Sequence, residues 1–258
     1  LLKNIDISIS ETETNENETK RTVDKLELKE TMKYLSEPKL TKLSNFLTGH
    51  ELGDRIINGR IEAFSCKRGG DEKIIAKSVD THMDEILATS PAEVASPFGP
   101  ITDSNVRRLI TDLIFTMNQS FPDYDFSLLR PDQFQREKNV PLVMNKVNTY
   151  LSEVCEDDSQ SLLDEIWSSV DEVIQIRECE VYSYIPDLEG DPFSDGNLWS
   201  FNYFFHNKSM KRIVYFTCMA ESLSNDENAF DDEDDDIRMD TNQQDDDMFT
   251  PDWDEEST

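Results

Sequence analysis

The stretch LWSFNYFFHNKSMKRIVYF, Leu198–Phe216, reads as two strands and the turn between them. In the first strand Trp199, Phe201, Tyr203 and Phe205 fall on one face at the two-residue period of a pleated strand. In the second, RIVYFTCM places Val214, Phe216 and Cys218 on one face and Ile213 and Tyr215 on the other. HNKSMKR between them is short enough for a hairpin loop. The rings are thus expected to build a sheet core, with Lys208, Lys211 and Arg212 solvated at the hairpin end. Just upstream, ECEVYSYI, 178–185, alternates as a third strand. Cys179, Val181 and Ile185 face one way, Glu178, Glu180 and Tyr182 the other.

Helical patterns precede these strands. Val106, Leu109, Ile110, Leu113, Ile114 and Met117 follow the i, i+3, i+4, i+7 spacing, with Asp103 placed to cap the helix. A second helix follows Pro141, with Val143, Val147, Leu151 and Val154 inward. A third runs over about 161–175, with Leu163, Ile166, Trp167, Val170 and Ile174 in register. Ser36 is placed to cap a short helix with Pro38 in its first turn and Leu40, Leu43 and Leu47 on one face. RIINGRIEAFSCK, 55–67, reads as strand, with Asn58-Gly59 as a possible tight hairpin turn. Residues 72–88 read as helix, and the three prolines of 89–103 mark a loop. Helices and antiparallel strands are segregated, which predicts an α+β fold: one globular domain whose antiparallel sheet carries helices on one or both faces.

The formal net charge is -30, and it is unevenly spread. Residues 224–258 hold sixteen acids and one arginine, half of the total; residues 1–31 carry -3 and the body, 32–223, carries -12. Self-repelling acid blocks such as DDEDDD, 231–236, with few apolar residues to bury, predict a disordered acidic C-terminal tail. The tail is either a solubilising appendage or an arm for basic proteins. Residues 1–31 read as a disordered extension, with Met32 opening the folded body. No window approaches the roughly 18 apolar residues of a membrane span.

The usual chemical motifs are missing. Cys66, Cys155, Cys179 and Cys218 include no C-x-x-C, and His50, His82 and His206 share no ligand spacing, so neither a metal site nor a cofactor is expected. Asp123 and Asp125 in PDYDFS, 122–127, are weighed as paired catalytic carboxylates, but the proline and the preceding helix favour a turn. DLEGDPFSDG, 187–196, fails the calcium-loop pattern, with Pro192 where glycine is needed and Leu198 where glutamate is needed. Three cations on so acidic a chain are too few for a nucleic-acid footprint. The residues alone therefore describe an acidic α+β interaction protein without catalytic residues.

Three blocks carry a resemblance further. They are MKYLSEPKLTKLSNFL with GDRIINGRIEAFSCKRGGDEK, within 32–73; PFGPITDSNVRRLITDLIFTMNQSFPDYDFS, 97–127; and EVYSYIPDLEGDPFSDGNLWSFNYFFHNKSMKRIVYFTC, 180–218. Through them, and above all through Pro122, Asp123, Tyr124, Asp125, Phe126 and Ser127 and through Trp199, Phe201, Asn202 and Tyr203, the chain resembles the Maf-one family over 32–223.

That resemblance implies a non-enzymatic repressor. It would bind the clamp side of RNA polymerase III and disturb recruitment of the initiation factor containing the B-related subunit. It would shuttle between nucleus and cytoplasm under kinases and phosphatases, the TOR pathway among them. The family's long mobile insert shrinks here to about 88–102, which holds the two Ser-Pro pairs of the chain, making Ser90 and Ser96 the phosphorylation candidates. The hairpin bearing Lys208, Lys211 and Arg212 is more basic in some relatives, where it is assigned to nuclear import. The alternative reading, from another class, is an acidic chaperone-like binder of basic proteins acting through 224–258.

Overall fold

The computed structural model describes residues 32–67, 72–89, 96–152, 154, 159–186, 190–194 and 196–223. The readings made for 1–31, for 224–258, for Ser90 and for Cys155 lie outside them.

Seven strands and five helices make up the described α+β body. The strands are β1 (Lys33–Leu35), β2 (Thr48–Leu52), β3 (Arg55–Ser65), β4 (Phe134–Arg136), β5 (Glu180–Tyr184), β6 (Asn197–Asn207) and β7 (Arg212–Ser222). The helices are α1 (Pro38–Leu47), α2 (Glu72–Thr89), α3 (Ser104–Ser120), α4 (Val140–Leu151) and α5 (Ser159–Ile174). The sheet is antiparallel throughout and runs β1-β3-β7-β6-β5-β4, with β2 also paired to β3. Long β3, β6 and β7 form its centre, where Val214 lies between Ala63 and Phe205.

Helices cover both faces. On one, Leu40, Leu43 and Leu47 of α1, Val143 and Val147 of α4 and Ile166 and Val170 of α5 meet Phe201, Phe205, Val214 and Phe216. On the other, Val79 and Met83 of α2 and Ile110, Leu113, Ile114 and Met117 of α3 meet Phe64, Phe204, Ile213 and Tyr215. The two-residue period thus feeds alternate side chains of β6 and β7 into two separate cores. Each fully buried Phe or Val contributes roughly 1.5–3 kcal/mol from apolar area removed from water.

Several local expectations change. Asn58-Gly59 is no turn: β3 runs straight through it, and the hairpin reverses instead at Gly53-Asp54, where Gly53 takes φ 61°. Gly59 answers a packing demand, because a β-carbon there would stand 2.9 Å from Leu47 Cβ of α1. Asn58 uses its side chain to accept from the Gly49 N–H, at 2.9 Å. The N-cap of α1 is Glu37, not Ser36, and makes no side-chain cap bond. The third predicted strand shortens to 180–184, and Ile185 emerges into solvent because the pleat ends at Tyr184. Asp103 does cap α3, its carboxylate accepting from the Asn105 N–H at 2.8 Å. That helix is buried well beyond its apolar stripe, with Thr111, Asp112 and Thr116 inside as well.

Candidate interaction surfaces

The three cations of the β6–β7 turn part company. Asn207 organises the turn: its Oδ1 accepts from the Met210 N–H (3.0 Å) and the Ser209 hydroxyl (2.7 Å). Lys211 closes it in the left-handed region, φ 53°. Arg212 points to the α5 face and donates through Nη1 to the Val173 carbonyl, at 3.0 Å, while Asn207 Nδ2 donates to the Ile174 carbonyl at 2.8 Å. Both satisfy carbonyls at the C-terminal end of α5, where the helix dipole also favours a cation. Arg212 is therefore a helix cap, which its position in the sequence did not reveal.

Lys208 and Lys211 stay exposed and flank a cleft on the opposite face of the sheet, between α3 and the strand ends. Arg108 and Asp112 of α3 form one wall, 3.9 Å apart, and Arg108 Nη2 also donates to the Cys66 carbonyl at 3.0 Å. Arg136 of β4 and Glu180 of β5 pair on the other. Tyr182 Oη donates to Glu180 at 2.9 Å; burial, with the neighbouring Glu180 carboxylate, pushes its phenol well above the usual range. His206 of β6 also lines the cleft. Burial holds its imidazole below the ordinary histidine value, against the pull of Glu180 and with the push of Lys208 and Arg108.

The PDYDFS stretch is a corner, not a carboxylate pair. Asn118, in the last turn of α3, accepts from the Phe126 N–H at 2.7 Å, and Asp125 accepts from the Ser127 N–H at 3.0 Å. This seats Phe126 in the core and turns Asp123, Tyr124 and Asp125 outward. Pro122 opens the corner just after Phe121, whose ring lies 4.1 Å beneath the Arg60 guanidinium. Tyr124, 40% exposed, and Leu128, 70% exposed, give the corner an apolar surface beside its two acids.

The remaining motif residues are structural. Asn202 is buried and accepts from Tyr215 Oη (2.6 Å) and Thr217 Oγ1 (2.8 Å). Phe201 stacks between Trp199 and Tyr203, and Tyr150 of α4 covers Trp199 and Phe201. Trp199 itself is half-buried, so the ring ladder reaches the surface at that end. Burial, then the Glu137 carboxylate, pushes the Tyr203 phenol up to about 12.

Ser96 is half-buried, its Oγ accepting from the Phe98 N–H at 3.2 Å. Asp191, in the stretch that fails the calcium pattern, instead accepts from the Phe193 N–H, Ser194 Oγ and Tyr184 Oη, a self-contained loop clamp. Among the described residues no group of three or more acidic, histidine or cysteine side chains is arranged to hold a metal ion.

Sequence reasoning missed the cleft, because Cys66, Phe98, Arg108, Arg136, Tyr182 and Lys208 come from distant segments. Their one common signal is a positive local balance on a negative chain.

Residues 57–217 match the family model described as Maf1 regulator. A Dictyostelium discoideum protein named repressor of RNA polymerase III transcription is 32% identical over 234 residues, covering 72% of this chain and 84% of its own. A Schizosaccharomyces pombe protein named repressor of RNA polymerase III transcription maf1 is 34% identical over 197 residues, covering 72% and 82%. Among solved structures, that of citrus MAF1 superposes with a TM-score of 0.56 at 31% identity, over 71% of this chain and 99% of that one.

Proposed function

This chain belongs to the Maf1 regulator family, and from that premise we propose that it represses transcription by RNA polymerase III through direct protein contact. The observation that carries the reading is the extent of the likeness. Two relatives that are repressors by name align over most of their own length, and the region matched by the family model takes in β6 and most of β3 and β7. The family is a regulatory one, and we read the chain as non-enzymatic.

The finer mechanism is the one expected from the resemblance. The protein docks on the clamp side of the polymerase and hinders arrival of the initiation factor that contains the B-related subunit. A body of net charge about -12 is attracted to a basic protein surface and repelled by a phosphate backbone, which favours polymerase over DNA or RNA as partner. Phosphorylation at Ser90 and Ser96, set by kinases and phosphatases of the TOR pathway, is the proposed switch. Shuttling between nucleus and cytoplasm is the proposed setting. Asp at both serines then weakens repression, and Ala at both makes it constitutive.

The test is binding of the purified full chain to purified RNA polymerase III and, separately, to a transfer RNA gene duplex. Polymerase binding that weakens but persists from low to physiological salt is expected. Tight duplex binding without polymerase binding overturns the reading. Deleting 224–258 separates it from the acidic-chaperone alternative: a repressor keeps polymerase binding through its folded body and associates more slowly, whereas the chaperone loses its partner entirely.

A further inference from the structure

We propose that the cleft between α3 and the β6–β7 turn is a binding site for a phosphate monoester carried on a small apolar or aromatic group.

The charge pattern comes first. Each acid of the cleft already has a guanidinium beside it: Asp112 has Arg108 at 3.9 Å, and Glu180 is paired with Arg136. Lys208 and Lys211 form no ion pair among the described residues and stand exposed at the mouth. Two uncompensated ammonium groups beside two guanidinium groups make this a positive concavity on a chain of net charge -30. Field lines concentrate in such a concavity, and a compact dianion gains more from it than a single carboxylate does.

The second observation is an imidazole in the lining, that of His206, beside Lys208. His206 Nδ1 is buried and has no hydrogen-bond partner among the described residues. His206 thus lines the cleft with its ring, while its Nδ1 is shut off from solvent.

The third is shape. The cleft has a volume of about 380 Å³, within the range of small-molecule sites. A stretch of the wall is apolar: Phe98 meets Tyr182 edge to face with ring centroids 5.1 Å apart, and Val106 and Leu109 belong to the same lining. An ion alone leaves that wall uncovered, whereas a terminal phosphate on an apolar or flat group covers both parts. An extended nucleic acid is disfavoured by the net charge of -30 on the chain.

Two sources share this chemistry: a free mononucleotide-sized phosphate, and a phosphoserine. The second has a local argument, because Ser96 is two residues from Phe98 on the wall.

The test is titration calorimetry on the full chain with four probes: inorganic phosphate, adenosine monophosphate, adenosine and a phosphoserine peptide. Adenosine monophosphate or the phosphoserine peptide is expected to bind more tightly than inorganic phosphate, and adenosine not at all. Whichever of the two binds names the source. Lys208→Gln with Lys211→Gln should weaken that binding about tenfold or more, since two charge-assisted contacts are lost. Lys→Arg at both should preserve it. Both lysines are exposed, so circular dichroism of the variants should match the parent. No binding of any phosphate probe at millimolar concentration, undiminished binding by the double Gln variant, or adenosine binding as well as its monophosphate would overturn the proposal. No polymerase is present in this measurement, so its failure leaves the repressor reading untouched.

Discussion

Leu47, the last residue of α1, occupies the space that a side chain on Gly59 would need, its Cβ 2.9 Å from where a β-carbon would sit. Cys218 Sγ crowds the same point at 3.1 Å. Helix α1 and the centre of the sheet therefore touch through a residue with no side chain. Gly59→Val should destabilise the fold by about 1–3 kcal/mol through overpacking. A denaturant midpoint equal to the parent's would show that α1 is free to move away.

Arg212 acts at the end of α5 and not in the cleft with its two neighbours. Arg212→Ala removes a cation and a hydrogen bond from the last-turn carbonyls and should cost about 1 kcal/mol. Lys208→Gln and Lys211→Gln should each leave the melting temperature close to the parent's. Equal thermal stability of all three variants would sink the division of labour described for the turn.

Phe201 is 5% exposed and touches the rings of Trp199, Tyr203, Phe216 and Tyr150. Phe201→Ala should cost about 3–5 kcal/mol, the sum of lost transfer energy and the cavity left behind. The alternative outcome, unchanged melting with lost repression, would make the ladder a docking surface.

Tyr203 sets a pH dependence. Its phenol is pushed up to about 12 in the fold, from 10.0 as its ordinary value, first by burial and then by Glu137. From about pH 10 upward the unfolded chain gives up this proton before the folded one does, so stability contributed by Tyr203 falls as pH rises toward 12. Tyr203→Phe should match the parent near neutral pH and outlast it in alkaline denaturation. Identical alkaline profiles would place the loss on other groups, Tyr182 and Tyr215 among them, whose phenols burial also raises.

Local pattern and tertiary packing divided the work unevenly. The two-residue alternation in 198–218 was enough to place Phe201, Phe205, Val214 and Phe216 on one side and Ile213 and Tyr215 on the other. The helical spacing in 106–117 and the cap at Asp103 were equally legible, because periodicity and capping depend on neighbours within a few residues. Short β1, β2 and β4 left no such signal. Three to five residues span too little pleat to show a period; long β3 recruits β1 and β2, and β5 recruits β4.

What the chain's order of residues could not decide was whose side chain would need whose space. Asn58-Gly59 has the composition of a turn, yet Leu47, twelve positions earlier, turned it into a contact point in a continuous strand. Lys208, Lys211 and Arg212 look alike in sequence, but strand alternation and the approach of α5 sent Arg212 to a helix end and left the lysines at the cleft. The cleft itself draws its cations from α3, β4 and the hairpin, and the field it makes exists only where the fold brings those charges together, since Coulomb energy depends on distance in space and not on separation along the chain.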